Sequence, residues 1–388
     1  MYIDRIAKFE IARSLSYFPV TAITGSRQCG KSTLAKRILS EAPAGIYLDL
    51  ERPSDIQRLT NAELFLSSQK EKLICIDEIQ RMPNLFPLIR SLVDEWNRPG
   101  AFLILGSASR DMLKQSSESL AGRVSYHRLT PFLWDEIKTN FSFEQILTRG
   151  SYPNSLLAPD AALSYQWREN FIATFLERDI LQWTGASPDS IRRLWQMLAH
   201  LNGQTANYSK IASSLGVSDN TVKNQIDLLS STYMVEIVPS HFSNIGKRLV
   251  KAPKIYIADS GITATLLGLR SYEDILGYPG YGAMWEQIVL TNIRGNYPTA
   301  EIFHYRSSGG AEVDFIVKIY DKIFAIECKA SLSPTLSKGV YSALEDIKPA
   351  HTFVVIPSKE GWIMSKDIDV LSINNLGVAM QNYRSGGA

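Results

Sequence analysis

The glycines and the lysine of the segment GSRQCGKS, residues 25–32, have the types and spacing needed to bind phosphate groups. Gly25 is followed after four residues by Gly30, Lys31 and Ser32. Glycines allow backbone N–H groups to approach phosphate oxygens, the lysine reaches the β- and γ-phosphates, and the hydroxyl binds Mg²⁺. We therefore predict a nucleotide-binding loop whose contacts are Gly25, Ser26, Arg27, Gln28, Cys29, Gly30, Lys31, Ser32 and Thr33.

In the segment KLICIDEIQ, residues 72–80, two acids follow a short apolar run. Residues 73–76 predict a buried strand, and Asp77 and Glu78 come directly after it. Because α/β sheets bind ligands at the carboxyl ends of their strands, we expect Asp77 to bind Mg²⁺ together with Ser32. Glu78 has the position expected of the base that polarises the attacking water.

Three further side chains could act on the γ-phosphate. Ser107 ends the third predicted strand, in GAFLILGSASR, where it can position the phosphate or the water. An arginine, supplied in cis or from another subunit, can stabilise the charge of the transition state in phosphoryl transfer. Arg110 and Arg123 both follow this strand, and the choice between them stays open.

These side chains require a sheet that holds them at one edge. Residues 19–24 predict a strand that runs into the glycines, and a helical pattern begins at about Lys31. The predicted fold class is therefore α/β, with a parallel sheet of the P-loop NTPase type in the N-terminal part.

Composition limits the remaining possibilities. With 388 residues and 45% hydrophobic content, the chain has room for two or three domains. A net charge of +2 means that any nucleic-acid surface must be local. The N-terminal residues do not resemble a signal peptide and no apolar run approaches a membrane span, so we expect a cytoplasmic protein without membrane contact. Three scattered cysteines indicate a reducing compartment and no zinc site.

The segment 204–262 has the pattern of a winged helix. Two short helices joined at residues 216–218 precede two apolar strands, 235–238 and 254–257. Between the strands, residues 243–254 contain four basic residues and no acid, which predicts a basic wing.

This segment could contact DNA, or it could dock a protein partner, as many winged helices do. Polar residues on the second helix could reach base edges or phosphates, and basic residues of the wing could reach phosphates. The predicted DNA contacts are Asn220, Lys223, Asn224, Lys247, Arg248 and Lys251.

The segment DFIVKIYDKIFAIECKAS predicts a β-hairpin with its turn at residues 321–322. In that register the numbers of paired residues sum to 643, so Asp314 would face Lys329. Glu327 would be the diagonal neighbour of Asp314 on the same face of the sheet.

Such a group is typical of a magnesium-dependent phosphodiesterase. Asp314 and Glu327 would bind the metal, and Lys329 would stabilise the developing charge on phosphorus. Upstream, the amphipathic helix GAMWEQIVLTNI offers Glu286 as a further acid ligand. The alternative is an ordinary sheet face held by salt bridges.

The order of these motifs resembles a known family. GSRQCGKS, CIDEIQ, LILGSAS, LAGRV, FLERDI, the helix-turn-helix and AEVDFIV…FAIECKAS follow one another as in prokaryotic AAA-type ATPases with a C-terminal domain of unknown function. That domain is similar to a winged helix fused to a restriction-endonuclease-like module of the PD-(D/E)XK type. The resemblance implies an AAA+ core that uses ATP and Mg²⁺, and a D…E-x-K motif at Asp314, Glu327 and Lys329 with Glu286 as its helical acid.

The sequence thus predicts four parts and two alternative functions. The parts are a P-loop ATPase core (1–135), a lid-like helical region (136–203), a winged helix (204–262) and a restriction-endonuclease-like domain (263–388). The first function is an ATPase that couples nucleotide state to DNA engagement, with metal-dependent DNA cleavage as an added activity. The alternative is a nucleotide-dependent switch or scaffold with an inactive nuclease fold and a protein partner. A homo-oligomer is compatible with both.

Overall fold

A parallel sheet forms the centre of the N-terminal part of the computed structural model, which describes residues 2–107, 119–179, 187–241 and 249–383. The chain folds into two units, Met1–Phe132 with Ser231–Tyr233, and Leu133–Ser230 with Met234–Ala388. The proposed division into four parts stays a prediction.

In the first unit, the described strands form one parallel sheet in the order β2-β3-β4-β1-β5. Near-continuous apolar runs are typical of strands covered on both faces, and β1, VTAITG, is buried along its whole length. The prediction of a parallel α/β sheet is confirmed. The described elements of this unit are α1 (Ala7–Leu15), β1 (Val20–Gly25), α2 (Lys31–Glu41), β2 (Gly45–Asp49), α3 (Pro53–Arg58), α4 (Ala62–Ser67), β3 (Leu73–Asp77), α5 (Leu85–Trp96), β4 (Phe102–Ser107) and β5 (Val124–Arg128).

The strand order brings the carboxyl ends of three strands together. β4 lies between β1 and β3, and its last residue, Ser107, is paired with Gly25 at the end of β1. Asp77 ends β3 at the same edge of the sheet. The sheet therefore positions the glycine-rich loop and the two acids at the edge where α/β sheets bind ligands.

The second unit contains a mixed sheet in the order β12-β13-β11-β10-β9-β8 and an antiparallel pair, β6-β7, within the described ranges. β8, β9 and β10 form an antiparallel meander, and β10 pairs in parallel with β11. The described elements of this unit are α6 (Trp134–Ile137), α7 (Phe143–Arg149), α8 (Pro153–Leu156), α9 (Ala161–Thr174), α10 (Pro188–His200), α11 (Tyr208–Leu215), α12 (Asp219–Ser231), β6 (Val235–Val238), β7 (Lys254–Ile257), α13 (Ser260–Leu266), α14 (Tyr272–Leu276), α15 (Tyr281–Asn296), β8 (Glu301–Arg306), β9 (Glu312–Ile319), β10 (Lys322–Cys328), α16 (Lys338–Ile347), β11 (His351–Ile356), β12 (Trp362–Ser365), β13 (Ile368–Ser372) and α17 (Leu376–Ala379).

The predicted register of the β9-β10 hairpin is wrong by two residues. Ile319 pairs with Lys322, so the paired numbers sum to 641 and the turn consists of Tyr320 and Asp321. Tyr320 takes the left-handed conformation, with φ +56°, that a two-residue hairpin turn requires and that a tyrosine rarely adopts. One step beyond the last recorded pair, Asp314 therefore lies opposite Glu327 and not opposite Lys329. A shift of two residues keeps every side chain on its predicted face.

The helices and strands of residues 188–257 agree closely with the sequence pattern. Both helices of the predicted helix-turn-helix and both following strands occur where the pattern places them, and β6 pairs antiparallel with β7. Within the predicted helical region 136–203, α9 is followed by a π-helical turn, Phe175–Asp179. Among the residues that the structure describes, no helix has the length and apolar character needed to cross a lipid bilayer.

Candidate functional site

The backbone of the glycine-rich loop has the shape needed to surround an anion. Gly25 and Gly30 have φ of +150° and +103°, which side-chain-bearing residues rarely adopt. A Cβ atom at Gly25 would lie 2.2 Å from the carbonyl oxygen of Leu129, so glycine is required there. α2 begins at Lys31, and the positive end of its dipole therefore lies at the loop.

The side chains of the loop offer groups that a phosphate would satisfy. Lys31 is 6% exposed, and its Nζ donates to the carbonyl oxygens of Gly25 (3.0 Å) and Ser26 (2.8 Å). The buried hydroxyl of Ser26 has no hydrogen-bond partner among the described residues. Buried polar groups are normally paired, so a buried hydroxyl without a partner beside an ammonium fits an anionic ligand.

Asp77, which ends β3, and Glu78, which follows it, are also held in place. Ser32 Oγ donates to Asp77 Oδ2 at 2.6 Å, and the hydroxyl of Tyr47 donates to the same oxygen. Glu78 has a left-handed backbone, with φ +55°, and its carboxylate accepts a hydrogen bond from the side-chain amide of Gln80. Burial and the hydrogen bond to Asp77 raise the pKa of Tyr47, so this hydroxyl remains a donor at neutral pH. Ser32 and Asp77 thus lie together as ligands of Mg²⁺ would.

Tyr47 and Gln80 are contacts that the sequence analysis missed. Tyr47 pairs with Cys75 across β2 and β3, which places its side chain on the same face as Asp77, two residues further along β3. In the sequence, Tyr47 lies in the apolar segment GIYLDL. Its contact with Asp77 can be inferred only when β2 is known to lie beside β3.

Arg5, a buried arginine near the N-terminus, donates hydrogen bonds to the glycine-rich loop and to the chain after β5. The sequence pattern did not indicate this contact. Arg5 donates to the carbonyl oxygens of Cys29 (3.0 Å), Thr130 (2.6 Å) and Pro131 (3.2 Å). Its guanidinium also lies 5.0 Å from the ring centroid of Phe132. Arg5 therefore connects the glycine-rich loop to the chain that follows β5.

Tyr233 belongs to the first unit and contacts the strand that leads into the loop. Its hydroxyl donates to Thr24 Oγ1 at 3.2 Å, and the guanidinium of Arg128 lies 4.4 Å from its ring centroid. Tyr233 has φ +61°, a conformation that is costly for a residue with a large side chain. Thr24 directly precedes Gly25, so this contact stabilises the end of β1.

The residues predicted to act on the γ-phosphate differ in how well they are placed. Ser107 ends β4 beside Gly25, but its side chain lies outside the described part, as does all of Arg110. Arg123 forms a bidentate pair with Asp94 on α5, with 2.5 Å between Nε and Oδ1 and 3.0 Å between Nη2 and Oδ2. A catalytic role for each of the three stays a prediction.

In the second unit, a lysine lies inside a group of acids that we name the carboxylate cluster: Glu286 on α15, Glu312 and Asp314 on β9, and Glu327 on β10. Lys254 Nζ lies 3.1 Å from Glu312 Oε1, 3.3 Å from Asp314 Oδ1 and 3.8 Å from Glu286 Oε2. The side chain of Lys254 is 3% exposed. The predicted place of Lys254 among the bases of a wing surface is wrong, because β7 carries it into the interior.

The other contacts of the carboxylate cluster are hydrogen bonds from nearby donors. The hydroxyl of Tyr256 donates to Glu286 Oε2 at 2.7 Å, and the backbone N–H of Cys328 donates to Asp314 Oδ2 at 2.9 Å. Lys329 Nζ donates to Glu327 Oε1 at 2.7 Å. The structure therefore brings together the four predicted residues Glu286, Asp314, Glu327 and Lys329, with three partners that the sequence analysis did not assign to them: Lys254, Tyr256 and Glu312.

Burial and mutual repulsion set the charge of the carboxylate cluster. Burial, reinforced by the charge of Asp314, raises the pKa of Glu286 to about 8 and that of Glu327 to about 7. Burial alone would lower the pKa of Lys254, but the charges of Asp314, Glu286 and Glu312 outweigh it and raise that pKa. Lys254 is therefore fully protonated at neutral pH and balances part of the negative charge.

The arrangement does not fit a divalent ion while Lys254 lies among the carboxylates. Within residues 2–107, 119–179, 187–241 and 249–383, no three His, Cys, Asp or Glu side chains are arranged to hold a metal ion. A cavity of about 270 Å³ adjoins the cluster and is lined by Lys254, Glu286, Glu312 and Asp314 among others. The assignment of Glu286, Asp314 and Glu327 as metal ligands stays a prediction, and this geometry weighs against it.

The helix-turn-helix presents its predicted DNA contacts to solvent. Asn220, Lys223 and Asn224 are exposed on α12, and Lys251 is exposed before β7. Ser218 caps the helix, with its hydroxyl accepting from the N–H of Thr221 at 3.2 Å. A cavity of about 500 Å³ lies between α11, α12 and the chain before β7, and Asn220 and Lys223 line it. Two predicted contacts, Lys247 and Arg248, lie outside the described residues.

The described ends of the predicted wing pair with an edge of the larger sheet. The N–H of His241 donates to the carbonyl of His304 at 2.7 Å, and the N–H of Val250 donates to the carbonyl of Arg306 at 3.0 Å. Both carbonyls belong to β8. The winged-helix interpretation stays a prediction.

Residues 17–138 match the AAA domain family. Together with the parallel sheet and the loop geometry, this match defines the first unit as an AAA-type P-loop ATPase domain. Residues 140–273 match a domain of unknown function, DUF8612, and residues 281–376 match another, DUF4143.

Two relatives that match most of the chain identify the family. The chain is 36% identical over 365 residues to uncharacterized protein Rv2008c of Mycobacterium tuberculosis, covering 94% of this chain and 82% of that protein. Uncharacterized protein Mb2031c of Mycobacterium bovis matches with the same identity and coverage. The chain belongs to the family of these two proteins. Among solved structures, the Walker-type ATPase paby2304 of Pyrococcus abyssi is 16% identical with a TM-score of 0.48, covering 68% of this chain and 96% of that one.

Proposed function

We propose that this protein binds and hydrolyses ATP with Mg²⁺ and uses its nucleotide state to control DNA engagement. The observation that carries the proposal is the convergence of Lys31, the Ser32–Asp77 pair and Glu78 at the carboxyl edge of the parallel sheet. The match of residues 17–138 to the AAA domain family supports the same activity.

Different residues of the site would bind the phosphates, the metal ion and the attacking water. The backbone of residues 25–33 and the ammonium of Lys31 would hold the phosphates, while Ser32 and Asp77 would hold Mg²⁺. The bound ion would neutralise charge on the phosphates. Glu78 would orient the attacking water and accept its proton. Arg123 could assist only after leaving Asp94. Ser107, at the end of β4, and Arg110, three residues further along the sequence, remain candidates.

The first test separates binding from turnover. Glu78→Gln keeps the size of the side chain and the contact with Gln80, so ATP affinity should change by less than about threefold. Turnover should fall by about 100-fold or more, because general-base catalysis contributes that much. The matched control is Glu71→Gln, an exposed acid just before β3, which should hydrolyse ATP at the wild-type rate. Wild-type turnover in Glu78→Gln would show that another group activates the water.

DNA engagement is supported by the exposed polar and basic residues of the helix-turn-helix. Because these contacts would be mainly to phosphates, affinity should fall steeply with salt. Replacing Lys223, Lys247, Arg248 and Lys251 by alanine should reduce affinity for unrelated sequences and flatten the salt dependence in fluorescence anisotropy. The control is Lys338→Ala, an exposed base at the start of α16. Equal affinity and salt slope in wild type and the fourfold variant would argue for a protein partner.

A second candidate is a nucleotide-dependent switch or scaffold whose nuclease-like module does not cleave and whose helix-turn-helix docks a protein. The order α15, β8-β9-β10 meander, α16 and parallel β11, with Asp314 on the middle strand of the meander, supports the nuclease-like interpretation of the fold. The position of Lys254 among the carboxylates favours the non-cleaving version. Incubation with supercoiled and linear DNA in Mg²⁺ or Mn²⁺ separates the candidates, since strand scission lost on Asp314→Asn would favour the nuclease.

A further inference from the structure

We infer that the carboxylate cluster of the second unit binds no divalent metal ion, because Lys254 is its resident cation. The inference goes beyond ATP hydrolysis and DNA engagement, and neither is needed for it to hold. It follows from the position of one ammonium group, from the backbone that holds it there, and from the partners of the remaining oxygens.

The ammonium of Lys254 lies between three acids, two of which, Glu286 and Asp314, are predicted metal ligands. It contacts one oxygen each of Glu312 (3.1 Å), Asp314 (3.3 Å) and Glu286 (3.8 Å). Mg²⁺ and Ca²⁺ bind carboxylate oxygens at about 2.0–2.6 Å, well inside these contacts. A divalent ion among the same three oxygens would therefore have to displace the ammonium.

The backbone holds Lys254 at this place from both sides. Lys254 begins β7 and pairs with Val238 of β6, and a bridge links it to Thr205. Next to it, the N–H of Ala206 donates to the carbonyl of Pro253 at 2.8 Å. All four residues of β7 are buried, so the Cα atom of Lys254 is fixed and only its side chain could move away from the carboxylates.

The same strand supplies a second partner to the carboxylate cluster. Tyr256 is two residues after Lys254, so both side chains lie on one face of β7. Its hydroxyl donates to the Glu286 oxygen that faces Lys254, at 2.7 Å. On the other side, the N–H of Cys328 occupies Asp314 Oδ2, and Lys329 pairs with Glu327. The cluster is thus a network in which Tyr256, Cys328 and Lys329 already donate hydrogen bonds to the carboxylates.

Exchange of Lys254 for a metal ion would be costly. The displaced ammonium would remain tethered to a buried strand, and leaving a buried charge unpaired is strongly unfavourable. The buried ammonium distinguishes the cluster from an ordinary group of acids, whose repulsion a metal ion would relieve. Here a lysine of the chain already provides that relief.

The test is Mn²⁺ binding by the full-length, nucleotide-free protein, followed by electron paramagnetic resonance of the free ion. Wild type should bind no Mn²⁺ at the cluster up to about 1 mM, the weak end of the range for carboxylate sites. Asp314→Asn should therefore leave the wild-type titration unchanged. An Asp77→Asn variant identifies any ion bound at the glycine-rich loop of the first unit.

Variants of Lys254 give the complementary result. Lys254→Met removes the charge but keeps a long side chain, and it should gain one Mn²⁺ per chain, which Lys254→Met with Asp314→Asn should lose again. Lys254→Arg keeps the charge and should bind none. If Lys254→Met does not fold, the comparison of wild type with Asp314→Asn still decides the question.

Two results would overturn the inference. One is a Mn²⁺ ion bound by wild type and lost on Asp314→Asn, which would show that metal and lysine coexist or exchange freely. The other is a folded Lys254→Met protein that binds no Mn²⁺, because the metal-free state would then not depend on Lys254. Neither result bears on ATP hydrolysis, which the Glu78→Gln experiment tests separately.

Discussion

The two units each contain a nearly buried lysine at the centre of a polar group, but the partners of the two lysines differ in charge. Lys31, 6% exposed, donates to two neutral backbone carbonyls of its own loop. Lys254, 3% exposed, lies among three carboxylates. The first lysine keeps its charge available, whereas the second has its charge balanced by the protein.

This difference separates a binding lysine from a structural one. An ammonium held by carbonyls gains a great deal when an anionic phosphate arrives, since hydrogen bonds between charged partners are the stronger kind. An ammonium held by carboxylates has little to gain from a further anion. Removing it would instead leave several acids buried together without a counter-charge.

The largest expected effect is on stability and concerns Lys254. Replacing it by methionine should lower the free energy of unfolding by about 3–5 kcal/mol, the range for breaking a buried ion pair from one side. Lys329→Met is the matched control, because that side chain is 30% exposed and pairs with one acid. Its loss should cost less than that of Lys254, about 1–3 kcal/mol, because it leaves only one buried acid, Glu327, without its partner. Equal losses in chemical denaturation would erase the distinction between the two lysines.

The next effect concerns Lys31 and is on binding. Lys31→Ala should weaken ATP binding by about 100-fold, or about 2.7 kcal/mol, in calorimetry. The unfolding free energy should fall by only about 1 kcal/mol, because the lost partners are neutral carbonyls. Lys70→Ala, an exposed lysine before β3, should match wild type in both measurements. A Lys31→Ala protein as destabilised as Lys254→Met would mean that both lysines are structural.

The first site could be predicted from sequence because its chemistry is local. The glycines, Lys31 and Ser32 are neighbours in the chain, and the two acids follow their strand directly, so helix and strand patterns were enough to place them. Arg5 could not be found in this way, because it acts on the carbonyl of Cys29 through a contact over 24 residues. Tyr47 requires knowing that β2 lies beside β3.

The carboxylate cluster was predicted only in part, because its decisive residue comes from elsewhere in the chain. Alternation along β9 and β10 places Asp314 and Glu327 on one face, and a register error of two residues does not change that. The turn itself depends on Tyr320 adopting positive φ, which residue type does not predict. Lys254 reaches Asp314 across 60 residues, and its position next to three other bases suggested a surface wing.

The smallest of the three effects is an acid sensitivity that should differ between the two units. His304, on β8 of the second unit, is fully buried, and its Nε2–H donates to the carbonyl of Ala252 at 3.0 Å. Burial lowers the pKa of His304 to about 4, and the charge of Lys254 adds to this effect. In the first unit, His127 is half-buried beside the hydroxyls of Ser14 and Ser125, and burial lowers its pKa as well.

Because the folded-state pKa of His304 is below its unfolded value, its neutral form stabilises the fold above about pH 6.5, and that contribution is lost as pH falls toward 4. Between pH 7 and pH 5 the loss should be about 2 kcal/mol. His304→Gln retains a donor for Ala252 but does not titrate, so its unfolding free energy should fall by that much less over the same interval.

The acids of the carboxylate cluster have raised pKa values and act in the opposite direction, but they are present in both proteins and largely cancel in the comparison. His127→Gln should flatten the pH dependence less, since that ring is only half-buried and has hydroxyl partners. Denaturation curves of wild type and His304→Gln that shift equally between pH 7 and pH 5 would show that His304 does not stay neutral in the folded protein, and that the interior beside Lys254 is more accessible to water than its burial implies.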